Sequence, residues 1–88
     1  MRESRVEAKY CKKIKDEGGR AYKFTSPGRR NVPDRLILFP IPRWLRAKLA
    51  KFFWFAEIKA PGEKPRPGQE REIERLRNLG YKVEVIDE

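Results

Sequence analysis

Glycine and proline cut this chain into pieces too short for any large element. Gly18-Gly19, Pro27-Gly28, Pro40, Pro42, Pro61-Gly62 and Gly80 all fall between stretches that have a clear period. Such residues end helices and strands for steric reasons, so what lies between them can be read piece by piece. Residues 5–17 read as a helix, with Glu7, Tyr10, Cys11 and Ile14 at i, i+3, i+4 and i+7 on one face. Residues 20–25, 34–39 and 52–59 read as three short strands. Residues 68–79 read as a second helix with Ile73, Leu76 and Leu79 inward, followed by a last strand over 81–86. The stretch Pro40–Lys51 fits either a short basic helix or an extended ribbon. The resulting order is α-β-β-β-α-β. The first three strands are expected to be antiparallel, and the last returns by a crossover after its helix. The fold class is therefore α/β, a mixed sheet flanked by helices.

With 88 residues and 39% hydrophobic content, the chain is expected to form one domain, 1–88, with a small core that oligomerisation would help to stabilise. The single cysteine, Cys11, allows no internal disulfide and fits a reducing compartment. The sequence has no histidine, which removes histidine catalysis and argues against zinc. Its carboxylates favour a hard, oxygen-seeking cation such as Mg²⁺, with Mn²⁺ as substitute. No apolar run suggests a membrane span, and nothing calls for a small-molecule cofactor.

The net charge of +9 is uneven. Residues 1–59 hold sixteen basic and six acidic groups, whereas residues 60–88 hold six and seven. Such a surface suits a nucleic acid partner. Between Gly18 and Ala56 only one acid, Asp34, stands among nine lysines and arginines. A polyanion-binding surface has no electrostatic use for a carboxylate, unless that carboxylate holds a cation which itself meets phosphate.

Alternation along a strand places Glu57 and Lys59 on one face of the third strand. Asp34 opens the strand before it. Both carboxylates, with the carbonyl of Ile58 between Glu57 and Lys59, form a candidate Mg²⁺ set. Lys59 would orient a water or balance charge on phosphorus. Glu7 lies on the inward stripe of the first helix and needs a partner there, either the metal site or Lys59, unless it is a surface carboxylate paired one turn away. Glu3 is a weaker candidate on the same stripe. Gln69 would reach Lys59 or a phosphate, or else face water in the first turn of its helix. The plainer alternatives are a solvated Glu57–Lys59 ion pair and a turn-capping Asp34.

For DNA contacts, Arg29 and Arg30 stand just upstream of Asp34, with Lys23, Ser26 and Arg35 nearby. Arg43, Arg46 and Lys48 surround Trp44, which could be a wedge facing DNA, a dimer contact or core filling. Phe52 and Trp54 fall on the strand face opposite Glu57 and are expected to pack beneath a helix.

These residues resemble a known family. The runs Tyr22-Lys-Phe-Thr-Ser-Pro-Gly-Arg-Arg-Asn-Val-Pro-Asp-Arg-Leu36, Ala56-Glu-Ile-Lys-Ala-Pro-Gly62, Arg66-Pro-Gly-Gln69 and Arg75-Leu-Arg-Asn-Leu-Gly-Tyr-Lys-Val-Glu-Val85 are similar to the VRR-NUC domain, the virus-type replication-repair nuclease of the PD-(D/E)XK superfamily. The resemblance is to its stand-alone viral or prophage type and covers nearly the whole chain. It implies a restriction-endonuclease-like core and a Mg²⁺-dependent endonuclease acting in the cytoplasm of a host cell. It places the site on Glu7, Asp34, Glu57, Lys59 and Gln69, with Ile58 lending its carbonyl. It also implies a homodimer that resolves four-way (Holliday) junctions. The alternatives are a flap or nick nuclease, or a non-catalytic nucleic-acid-binding module. The family usually has Gly before its Val-Pro-Asp, where this chain has Asn31. Asn tolerates a left-handed backbone, so the turn is expected to survive.

Overall fold

The computed structural model describes residues 3–25, 28 and 30–87, with the backbone only at Glu3. Its elements are α1 (Glu3–Asp16), β1 (Arg20–Lys23), β2 (Arg35–Leu38), α2 (Arg43–Leu49), β3 (Phe55–Ile58), α3 (Pro67–Asn78) and β4 (Val83–Ile86). Residues 1–39 form one compact unit and residues 40–88 a second.

In the N-terminal unit, α1 ends where Gly18 enters the left-handed region at φ 92°. The N–H of Gly19 then donates to the carbonyl of Ile14 at 2.9 Å, and that of Gly18 to Lys15 at 3.0 Å. These are the two bonds of a Schellman cap, which satisfy carbonyls that the helix end would leave unpaired. β1 and β2 pair antiparallel with Arg20 opposite Leu38 and Lys23 opposite Arg35. Ile14 and Leu38 are the buried apolar side chains of this unit. Asn31 adopts φ 63°, so the position where a glycine was expected does take the left-handed turn.

In the C-terminal unit, β3 and β4 pair parallel with Glu57 opposite Val85, and α3 forms the crossover between them. That is the connection two parallel strands require. Ile41, Ile73, Leu76 and Val83 are buried. The rings of Phe53, Phe55 and Tyr81 meet edge to face, with centroids 5.3 to 6.1 Å apart. α3 ends in a second Schellman cap. Gly80 stands at φ 103°, and Tyr81 N–H donates to Leu76 at 3.1 Å. A Cβ on Gly80 would lie 2.5 Å from Nε of Arg46, whose Nε donates to the carbonyl of Ile41 at 2.8 Å. Gly80→Ala is therefore expected to cost about 1–3 kcal/mol through strain at positive φ and displacement of Arg46. Chemical denaturation of the wild type and the variant measures this directly.

Two expectations need correction. First, Pro40–Lys51 contains a helix, α2, so the order is α-β-β-α-β-α-β rather than α-β-β-β-α-β. Pro42 precedes its first turn, a place where proline's fixed φ and missing N–H are tolerated. Second, the strands form two two-stranded sheets, β1–β2 and β3–β4, instead of one mixed sheet. Among the described residues β3 hydrogen-bonds to β4, not to β2, so the antiparallel expectation holds for β1 and β2 alone. The break at Pro40 and Pro42 and the helix after it remove the short turn that would have joined β2 to β3. No helix of the described residues is long and apolar enough to cross a membrane.

Candidate functional site

The C-terminal unit assembles a polar trio around one carboxylate. Glu57 and Lys59 are two apart, so they emerge on the same side of the chain at the end of β3. Lys59 Nζ lies 3.4 Å from Glu57 Oε1. Gln69, in the first turn of α3, donates from Nε2 to the same Oε1 at 2.9 Å. The amide is oriented by its other end, because Gln69 Oε1 accepts the backbone N–H of Arg66 at 3.0 Å. A helix-capping contact thereby aims the NH₂ group at Glu57. The Lys59 side chain is only 11% exposed and that of Glu57 33%. Both contacts fall on Oε1, which leaves Oε2 of Glu57 without a protein partner among the described residues. An open cavity of about 240 Å³, lined by Phe55, Glu57, Gln69, Ile73 and Val83 among others, runs alongside. Ile58, between the two charged residues, is exposed on the opposite side of the strand, and its N–H and C=O lie in the β3–β4 segment.

The N-terminal unit holds the other two acids of interest. Asp34 is exposed and directly precedes β2; its carbonyl accepts the N–H of Phe24 at 2.9 Å. Glu7 is half-buried on α1 and meets Nε of Arg35 at 2.8 Å through Oε2. The same guanidinium donates to the carbonyl of Ala21 at 3.4 Å. Lys23 and Arg35 are directly opposed across the two strands, an unfavourable pairing of like charges that Glu7 offsets. The Arg35 hydrogen bond, then its charge, holds the Glu7 carboxyl below its ordinary range, with a smaller contribution from Lys23. Glu7 in turn raises the Arg35 guanidinium. Because the folded-state value of Glu7 is lowered, this contact contributes fully above the ordinary carboxylate range. It is lost as pH falls through the lowered value.

The positions proposed from sequence thus divide. Glu57, Lys59 and Gln69 are brought together, with Gln69 on Glu57 rather than on Lys59. The partner of Glu7 is Arg35, twenty-eight residues away in the chain, and neither Lys59 nor a basic residue one turn along. Arg35 and Arg46 are engaged by protein acceptors. Lys23, Arg30, Arg43 and Lys48 are exposed. Ser26 and Arg29, together with the Glu3 side chain, lie outside the described residues. Phe52 and Trp54 do not pack beneath a helix. Phe52 is 79% exposed, while Lys82 Nζ sits 5.1 Å from the Trp54 ring centroid. Trp44 is 81% exposed and does not fill the core. Phe52 and Trp54 lie in the segment before β3, whereas Phe55, which opens that strand, is half-buried.

Among the described residues no three acidic or cysteine side chains gather as a metal-binding cluster. A hard cation at Glu57 would complete its shell with further oxygens, such as a backbone carbonyl, water or phosphate. The oxygen-only donors at these positions fit Mg²⁺ or Mn²⁺ and do not fit a soft metal.

No protein-family model matches the chain, and no solved structure matches it. A curated protein does. It is named "Putative nuclease p44", from Acyrthosiphon pisum secondary endosymbiont phage 1, and is 46% identical over 87 residues, covering 99% of this chain and 84% of its own length. Identity at that level along almost all of this chain and most of the relative shows common descent, and this protein belongs to the same family as the phage protein p44.

Proposed function

We propose that the protein is a Mg²⁺-dependent DNA endonuclease of the VRR-NUC type, hydrolysing phosphodiester bonds. The observation that carries this reading is the Glu57–Lys59–Gln69 arrangement. A carboxylate is held by a nearly buried ammonium and an oriented amide, and one oxygen is left over for an ion. The relative's name as a nuclease and the chain's net charge of +9 support it. We assign the ion in the C-terminal unit to Glu57, with the Ile58 carbonyl as a further ligand, and keep Asp34 as the candidate metal-binding carboxylate of the N-terminal unit. Glu7 has a supporting role, since one of its oxygens is already taken by Arg35. When bound, the ion supplies Lewis-acid polarisation of the phosphodiester and a more acidic water. Gln69 keeps Glu57 in one orientation. Lys59 places a positive charge where the phosphate becomes more negative during attack. Hydrolysis adds one water across a P–O bond, leaving a phosphate on one end and a hydroxyl on the other. Exposed Lys23, Arg30, Arg43 and Lys48 grip the backbone, a contact that carries no sequence information.

The surface left on 88 residues is small, so recognition of DNA shape suits this chain better than recognition of a long sequence. We assign four-way junctions as the substrate and a two-fold homodimer as the acting form, because two sites related by a dyad match the symmetry of a junction. Labelled junctions, flaps, nicked and plain duplexes incubated with Mg²⁺ test this. Junctions should be cut first, and EDTA should abolish cutting. Cutting that persists in EDTA would overturn the metal-dependent reading. Equal cutting of every substrate would overturn junction selectivity alone.

A further inference from the structure

The exposed aromatics of the C-terminal unit have no role in the reading above, and they share their surface with cations. From Leu36 to Ala56 the chain has no acidic residue. α2 and the turn after it form one continuous helical path. Ala50 N–H donates to Arg46 at 3.0 Å, Lys51 to Lys48 at 3.2 Å, and Phe52 and Phe53 to Leu49 at 2.9 and 3.0 Å. Along that path Trp44, Lys48 and Lys51 fall at i, i+4 and i+7, which is one stripe of a helix. All three are exposed, as is Phe52 in the turn that follows. Leu45 and Leu49 face the other way and are half-buried, so the fold does not need Trp44 or Phe52 for its core.

Large rings left in water beside ammonium groups mark a binding surface. A second copy of this chain is disfavoured as the occupant, since a two-fold contact would bring two copies of the same acid-free basic stripe together. An apolar partner would leave those lysines unpaired. Unpaired nucleobases satisfy both kinds of group: a base has a π-face for each ring, and its phosphate has a charge for each lysine. We propose that Trp44, with Lys48 and Lys51, forms a stacking platform for unpaired bases of the DNA substrate. This deepens the nuclease reading and rests on it for the identity of the substrate.

The test is binding of the full chain to a labelled oligothymidylate and to a blunt duplex of equal length, in EDTA so that no cutting occurs. Trp44→Leu keeps apolar bulk and removes the ring, whereas Trp44→Phe keeps a ring. Trp44→Leu should weaken single-strand binding about tenfold, change duplex binding less than about twofold, and be largely rescued by Trp44→Phe. Because Trp44 is 81% exposed, its variants should melt with the wild type. Equal loss on both DNAs, no loss on either, or no difference between the Leu and Phe variants would overturn the platform. So would a dimer that falls to monomer in sedimentation when Trp44 is replaced, which would make this face the contact between copies. If cleavage with Mg²⁺ is absent while the binding pattern holds, the nuclease reading fails and the platform stands.

Discussion

Replacing Glu57 by Gln is expected to lower the DNA cleavage rate about a thousandfold or more while DNA binding is kept or tightened. Gln fills the same volume and can still meet Lys59 and Gln69, so the local packing is retained. What disappears is the charge on the oxygen that carries no protein contact. A metal ion contributes several kcal/mol to a phosphoryl transition state, and each 1.36 kcal/mol is tenfold in rate. Binding should not suffer, because a carboxylate beside a phosphate is repulsive. Single-turnover cleavage and fluorescence anisotropy on the same junction separate the two quantities. Parallel loss of both would show that Glu57 supports the fold or the DNA grip rather than the chemistry.

The second large effect is expected at Lys59. Its side chain is 11% exposed and lies 3.4 Å from Glu57. An ammonium this shielded acts on whatever sits beside Glu57 more strongly than a surface lysine would. Lys59→Met keeps the length and the apolar stem. It should slow the chemical step about a hundredfold, the scale of losing one preorganised electrostatic contact, with DNA affinity changed only a few-fold. The comparison is the single-turnover rate at saturating protein against affinity measured in EDTA. If affinity falls as far as the rate, Lys59 grips phosphate and takes no part in the reaction.

What was legible in the sequence follows the range over which each interaction acts. Glu57 and Lys59 meet because strand side chains alternate, a relation contained in two positions. Gln69 faces inward because of helical period, yet its partner depends on how α3 packs against β3. Its partner, Glu57, was therefore not among the ones expected from sequence, which were Lys59, a phosphate or water. Asn31 could be read as a left-handed turn because few other residues tolerate one. The Glu7–Arg35 pair was illegible, since it joins α1 to β2 through tertiary packing that no local period encodes. Pro40–Lys51 stayed open between a short helix and an extended ribbon, because prolines stand at its entrance and its aromatic residues serve strands equally well. The strand pairing failed for the same reason: with a helix in place of a turn, nothing local links β2 to β3. Phe52 and Trp54 were expected beneath a helix, and core filling was one of three readings of Trp44, because large rings usually pack inward. Their exposure became visible only once Leu45, Leu49 and Phe55 were seen in the half-buried positions.

For the chemistry proposed above, Glu57 must hold a divalent cation. Mn²⁺ binding to the full chain, followed by electron paramagnetic resonance, tests this in the wild type and in Glu57→Gln. Loss of the carboxylate charge should lower Mn²⁺ affinity about tenfold or more. Wild-type Mn²⁺ affinity in Glu57→Gln would contradict it.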